Sequence, residues 1–168
     1  RGLTGSSVTR NFSYLKAVFN FAVSEYALDV TNPFIGVYHD RQAGVIKRQP
    51  IPIDNIKLVQ THCKQIDDDI RWLVALLSDT GLRLAEGAGL LKTDIHLECD
   101  IPFVRIQKHP WRGLKTRSSE RDVPLVGKAL WAARRALQFE WECPFAFPRY
   151  NQSSITAANS ASAALNKW

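Results

Sequence analysis

The sequence predicts a mainly α fold carrying a small antiparallel β-hairpin, an α+β class. Three observations lead there. Apolar residues recur at three- and four-residue steps over 8–29, through Phe12, Leu15, Val18, Phe19, Ala22, Val23 and Tyr26, the stripe of an amphipathic helix. The stretch DDDIRWLVALLSDTG opens on three acids and closes on Gly81, which suits the positive end of a helix dipole and a left-handed stop. IPFVRIQ (101–107) alternates like a strand and is followed by ERDVPL (120–125), so the two read as a hairpin.

The elements follow in order. On the 8–29 helix, Thr9, Arg10, Ser13 and Lys16 fall toward the polar side. TNPF ends it, because Pro33 pushes Asn32 toward extended geometry. Residues 41–52 are polar, basic and Gly-containing and read as a linker. Asp54 is placed to cap a helix from Asn55 to about Gln65. The DDDIRW helix follows, then a short helix in LRLAEGAGLL despite Gly87 and Gly89. After the hairpin, 127–142 is helical, with Leu130, Trp131, Ala133, Arg134 and Leu137 in period. CPFAFPRY reads as extended and SSITAANSASAALNKW as the start of a last helix. Asp94 reads as a turn or capping residue, and Trp72 and Trp131 as core.

Composition narrows the partners. The chain has 168 residues with 22 Lys+Arg against 16 Asp+Glu, a net charge of +6. Such a surplus favours a polyanion, nucleic acid before an anionic membrane. No stretch approaches the ~20 apolar residues of a membrane span. The start, RGLTGSSVTR, has no apolar run of the kind a secretory signal needs. Cys63, Cys99 and Cys143 are odd in number and widely spaced, so reduced thiols in a cytoplasmic protein are expected rather than disulfides or zinc. The four histidines have no metal-ligand spacing, and the Asp67–Asp69 run reads as a helix start. No metal and no cofactor are expected. The chain has no Met and stops inside a helical pattern, which points to a fragment.

The most informative segment is TGLRLAEGAGLL (80–91), where Arg83 and Glu86 interrupt an apolar run. Three positions apart on a helix, they can meet as a local pair, or the carboxylate can hold the guanidinium in a fixed pose. A surface ion pair of this kind is worth only ~0–1 kcal/mol. A second basic group lies in HPWRGLKTRSSERDVPL, with Arg112, Lys115, Arg117 and Arg121 in the loop and second strand of the hairpin. A basic hairpin tip can follow a phosphate backbone. An arginine fork that grips phosphate oxygens and a lysine that protonates a leaving oxygen are what phosphoryl transfer requires.

With these motifs in order, the chain resembles the tyrosine recombinase family, in its phage-type integrase branch. TGLRLAE is followed about 30 residues later by LKTRSSERDVPL. Upstream, NFSYLKAVFNFAVSEYALDVTNPF resembles the last helices of that family's core-binding domain, and FAFPRY and SASAALNKW resemble integrase segments. The resemblance implies that 1–40 is the end of a helical, SAM-like core-binding domain, and that 53–168 is the first part of a catalytic domain. It implies that Arg83 contacts the scissile phosphate, that Glu86 supports the site, and that Lys115 protonates the leaving 5′ oxygen. Arg112, Arg117, Arg121, Arg10 and Lys16 are expected to contact DNA. The reaction implied is metal-free DNA strand cleavage and rejoining through a 3′-phosphotyrosyl bond, for integration and excision of mobile DNA. The partner is a double-stranded attachment site. Full-length members form homo-oligomers on DNA, and no membrane or small-molecule ligand is implied.

The chain also departs from that pattern. The family's His-x-x-Arg pair, its late His or Trp and its nucleophilic Tyr fall beyond Trp168. His109–Arg112 lies on the wrong side of Lys115 and receives no catalytic role. Tyr14, Tyr26 and Tyr150 read as structural, and Trp168 as a helix residue. The chain is therefore expected to be catalytically incomplete on its own, and the missing C-terminal segment, usually exchanged between subunits, is compatible with a monomer. The alternative is a non-catalytic helical DNA-binding or interaction module. A metal-dependent nuclease would need carboxylates clustered in one cleft. Arg83 and the hairpin tip facing one concavity favours the recombinase; opposite faces favour the module.

Overall fold

The computed structural model describes every residue except Arg1, Arg48, Trp141, Ser153 and Ser154, and leaves the side chains of Arg117 and Gln152 undescribed. The chain divides into two compact units, 1–50 and 51–168.

The first unit is built on α1 (Gly5–Glu25). It begins before the expected Val8 because Thr4 caps it, its side-chain oxygen accepting from the Ser7 N–H at 3.4 Å. It ends at Glu25 rather than Asp29, since Ala27 turns left-handed at φ 46°. The returning strap is tied down by Asn32. Its Nδ2 donates to the Lys16 carbonyl at 3.1 Å and to Asn20 Oδ1 at 2.6 Å, while its Oδ1 accepts from the Phe34 N–H. Phe34 then packs on Phe12 and Phe19. The predicted apolar stripe is split by this geometry: Phe12 and Phe19 are half-buried, whereas Leu15, Val18 and Tyr26 are exposed. The first part of the expected linker is also folded. The Gly5 N–H donates to the Ala43 carbonyl at 2.7 Å, and a Cβ at Gly5 would collide with the Asp40 carbonyl oxygen.

The second unit is mainly α with a three-stranded antiparallel sheet. It runs α2 (Ile53–Ile66), α3 (Asp69–Thr80), α4 (Leu84–Ala88), β1 (Ile95–His96), β2 (Phe103–Ile106), β3 (Arg121–Pro124) and α5 (Gly127–Gln138). A small ribbon of β4 (Asn151–Gln152) and β5 (Ile155–Thr156) precedes α6 (Ala158–Leu165). Trp168 lies past α6, over the Arg71 guanidinium at 4.9 Å, and not within the helix as expected. Among the described residues no helix is long and apolar enough to cross a membrane.

The three consecutive aspartates have three separate tasks. Asp67 ends α2 in a left-handed conformation and accepts from the Trp72 indole at 2.7 Å and from Arg135. Asp68 caps α3 by accepting from the Arg71 N–H. Asp69 takes both Nε and Nη2 of Arg149, at 2.7 and 3.0 Å. Asp54 is not a cap: Pro52 holds the cap position, α2 starts at Ile53, and Asp54 sits in its first turn, where a carboxylate suits the dipole.

The core lies between α3 and α5. Trp72, Leu73, Ala75 and Leu76 of α3 face Ala129, Ala132, Ala133 and Ala136 of α5, all buried. The alanine face lets the two helices approach closely, while Leu130, Trp131 and Leu137 are only partly buried against it. One carboxylate locks this packing. Asp79 accepts the Lys128 and Ala129 N–H groups at the start of α5, at 2.7 and 3.2 Å, and the Gln60 amide of α2 at 2.6 Å. Gly127 is required here, with φ 51° and a Cβ position 2.8 Å from Asp79 Oδ2. Because this carboxylate caps a helix and satisfies a second element, Asp79→Ala should lower stability by about 1–2 kcal/mol, read from the urea midpoint at unchanged slope.

The sheet places the site. Val104 pairs with Ile95 and Val123, and Ile106 pairs with Arg121. Val104 and Ile106 point into the core, while Arg105 and Asp122 bond across the outer face at 2.9 Å. Both strands of the expected hairpin are shorter than the alternation suggested, and β1 is an additional strand.

Candidate functional site

The site forms where α3 ends, α4 begins and the hairpin loop returns. Gly81, left-handed at φ 63°, stops α3. Leu82 then buries, and Arg83 is not inside a helix but at the cap position before α4, with extended backbone. Glu86 occupies the first turn of α4 and folds back. Its Oε2 accepts from the Arg83 N–H at 3.0 Å, and its Oε1 accepts from Arg83 Nη1 at 2.7 Å. The three-residue spacing is therefore a cap with its carboxylate, not two side chains on one helix face.

A second arginine shares the same carboxylate. Arg121 of β3 donates Nη2 to Glu86 Oε2 at 3.0 Å and Nη1 to the Ser119 carbonyl at 2.8 Å. The Glu86 side chain is only 5% exposed, whereas Arg83 and Arg121 are 51% and 36% exposed. The buried acid thus holds two guanidinium groups whose other faces meet solvent. Burial alone would raise the Glu86 pKa. The hydrogen bonds from Arg121, the Arg83 N–H and the Arg83 guanidinium outweigh it, so the carboxyl titrates below the ordinary glutamate range.

Hydroxyls complete the wall. Arg83 Nη1 lies 3.3 Å from Ser119 Oγ, which in turn meets Thr116 Oγ1 at 2.9 Å. Gly81, Arg83, Thr116, Ser118, Ser119 and Arg121 line one concavity of about 350 Å³. Lys115 is exposed beside Thr116 but is not among those lining residues, and it has no hydrogen-bond or ion-pair partner among the described residues. Arg117 lies in a 3-10 turn, Arg117–Ser119, and its side chain is outside the described residues. Arg10 is exposed and Lys16 half-buried on α1, within the first unit.

Arg112 is placed differently from expectation. It is 3% exposed, donating Nη1 to the Glu86 carbonyl at 2.6 Å and Nη2 to the Gln107 carbonyl at 2.7 Å. Its guanidinium fixes protein backbone behind the site instead of facing DNA. Burial pushes its pKa down, although a guanidinium stays charged.

The turn bearing it is clipped from both sides. His109 and Arg112 exchange backbone hydrogen bonds at 3.1 Å. The His109 ring stacks on Trp111 at 4.7 Å and meets Asp94 Oδ2 at 2.9 Å. Asp94 is fully buried and also accepts from the Leu91 N–H and the Gln107 amide. It caps its turn, as expected, but it also anchors the hairpin loop. The residue letters show no periodicity that would mark Asp94, His109 and Arg112 as one buried assembly.

Among the described residues no group of three or more His, Cys, Asp and Glu is placed to hold a metal. Tyr14, Tyr26 and Tyr38 are exposed in the first unit; Tyr150 is buried in the second, its hydroxyl without a partner among the described residues. No family model, curated protein or solved structure matches the chain.

Proposed function

We propose that the chain carries the phosphate-gripping half of a DNA strand transferase of the tyrosine recombinase type, partial in its catalytic fold. The observation that supports this most is the pair Arg83 and Arg121, reaching one concavity from two elements while bound to one buried Glu86. Two guanidinium charges less one carboxylate leave +1, the complement of one phosphodiester. Fixed forks suit its two non-bridging oxygens, and charge that builds on them in the transition state is stabilised by groups already in place. A buried carboxylate that pre-orients both arginines is not needed for a solvated ion pair.

In this reading a tyrosine oxygen attacks phosphorus, the bond to the 5′ oxygen breaks, and a proton passes to that oxygen. Lys115 on its flexible stem beside Thr116 is the proposed proton donor. A 5′ hydroxyl later displaces the tyrosine. The only tyrosine of the second unit is the buried Tyr150, so the nucleophile comes from outside the described site and the chain alone should bind without cleaving. Arg117, Arg10 and Lys16 supply further phosphate contacts on a duplex attachment site.

The test is binding to a labelled duplex across a salt series. The parent chain should bind with a steep negative slope of log affinity against log salt. Arg83→Gln and the double change Lys115→Gln/Arg117→Gln should each make it shallower, by about 0.9 for every phosphate no longer neutralised. Absence of binding at low salt would overturn the reading. The exposure of Lys115 outside the concavity favours a second reading, a non-catalytic DNA-binding module. There, only the loop double variant changes the slope and Arg83→Gln leaves it as in the parent.

A further inference from the structure

The first unit contains a cavity of about 510 Å³ that the recombinase reading does not use, between α1 and the strap that returns over it. The strap is fixed at both ends. Asn32 binds the Lys16 carbonyl and Asn20 at one end. At the other, His39 meets Thr9 Oγ1 at 2.7 Å and stacks on Phe12 at 5.6 Å. The arch between these anchors is therefore built, not a chance surface fold. Lys16 and Arg41 are both among the residues lining it. Neither has a side-chain hydrogen bond or ion pair among the described residues, and the nearby Asp40 carboxylate is engaged by the Gln42 N–H. On the rim, Tyr38 is 92% exposed, an aromatic ring with both faces open to solvent.

Two unpaired cations call for an anion. An open ring beside them calls for a flat, π-faced group. A nucleotide in a single strand supplies both, because each base is joined to its phosphate through one sugar. In a duplex the bases are stacked on each other and are not free to lie on Tyr38. We propose that this cavity binds single-stranded nucleic acid, with a phosphate between Lys16 and Arg41 and a base stacked on Tyr38. This goes beyond the Arg83–Arg121 grip of the second unit and rests on Arg41 and Tyr38, which the duplex reading does not use, together with Lys16, which it does.

The experiment is fluorescence anisotropy with a labelled ten-nucleotide thymidine strand and, separately, a labelled duplex, using the full 168-residue chain. Tyr38 is so exposed that Tyr38→Ala does not disturb packing. That variant should weaken single-strand binding by about tenfold, the scale of one base–aromatic stack removed, while duplex affinity changes less than about twofold. Arg41→Gln should reduce the salt slope for the single strand by about 0.7. In an Arg83→Gln background the Tyr38→Ala loss for the single strand should persist at about tenfold, which separates this site from the duplex grip. Unchanged single-strand affinity in both Tyr38→Ala and Arg41→Gln overturns the proposal. So does an equal loss for duplex and single strand in Tyr38→Ala, which would make the strap a duplex contact. Failure of the duplex arm in Arg83→Gln alone would count against the recombinase reading and not against this one.

Discussion

Glu86→Gln is expected to destabilise the second unit by about 2–3 kcal/mol at pH 7. Removing one partner of a buried charged network leaves the others uncompensated, an effect of roughly 3–5 kcal/mol when all are buried. Arg83 and Arg121 keep solvent access at 51% and 36% exposure, which lowers the figure. The amide of glutamine still offers one oxygen to the Arg83 N–H. Its NH₂ faces guanidinium donors, so one of the three hydrogen bonds to Arg83 and Arg121 becomes a donor–donor clash. The two arginines also lose the charge that lets them sit together. All five tryptophans belong to the second unit, so tryptophan emission during urea unfolding reports this unit.

The pH dependence carries the same signature. A carboxyl whose folded pKa is depressed contributes stability above its unfolded value, ~4.3 for glutamate, and loses it as pH falls through the lower folded value. Glu86 is such a group. The gap between parent and Glu86→Gln should be full above about pH 5 and shrink below about pH 4. Asp67 and Asp122 also titrate low, but they are common to both proteins and cancel in the difference. A variant as stable as the parent at pH 7, or a gap constant into acid, would show that the carboxylate does not hold the arginines.

What the sequence allowed depends on the distance over which a residue's role is decided. The Asp68–Asp69 opening and the Gly81 ending of α3 are local effects, and both are where the pattern placed them, whereas Asp67 of the same acidic run ends α2 instead. The β2–β3 hairpin is likewise present, because alternation over several residues records which face is buried. Two-residue β1 is too short to alternate, so nothing in its letters separates it from a turn. Arg83 shows a subtler failure. The three-residue spacing to Glu86 correctly brought the pair together, but the same spacing serves a helix face and a helix cap. Gly81, which forces the chain out of α3 two residues earlier, was the signal for the cap. Arg121 was legible as a basic strand residue, yet its bond to Glu86 crosses 35 positions and depends on the register of β3 against β2. Arg112 is the clearest limit. In a turn of HPWRG an arginine reads as solvated. Its burial is decided by α4, where Gly89 leaves room: a Cβ there would stand 2.9 Å from Arg112 Cδ.

That placement makes Arg112→Met the second large effect, an expected loss of about 3 kcal/mol. Two effects oppose each other. Methionine keeps most of the side-chain volume and removes a buried charge whose desolvation no ion pair offsets, which favours the variant. Against this, the Glu86 and Gln107 carbonyls lose donors at 2.6 and 2.7 Å, each a charged hydrogen bond of about 1.5–3 kcal/mol; the Glu86 carbonyl remains buried, whereas Gln107 is exposed and its carbonyl partly regains water. The second effect wins because the acceptors are backbone and cannot be removed with the donor. Arg112→Lys should recover only part of the loss, since one ammonium cannot span two carbonyls held by the two arms of a guanidinium fork. The Glu86 carbonyl is fixed by Arg112 and its carboxylate by Arg83 and Arg121, so the two changes act on one short helix. Their effects should not add. In a double-mutant cycle, Arg112→Met combined with Glu86→Gln should fall short of the summed losses by at least about 0.5 kcal/mol, the lower end for residues in one network. Strict additivity would mean that Arg112 packs behind α4 without positioning the carboxylate, and the link from the HPWR turn to the Arg83–Arg121 concavity would be lost.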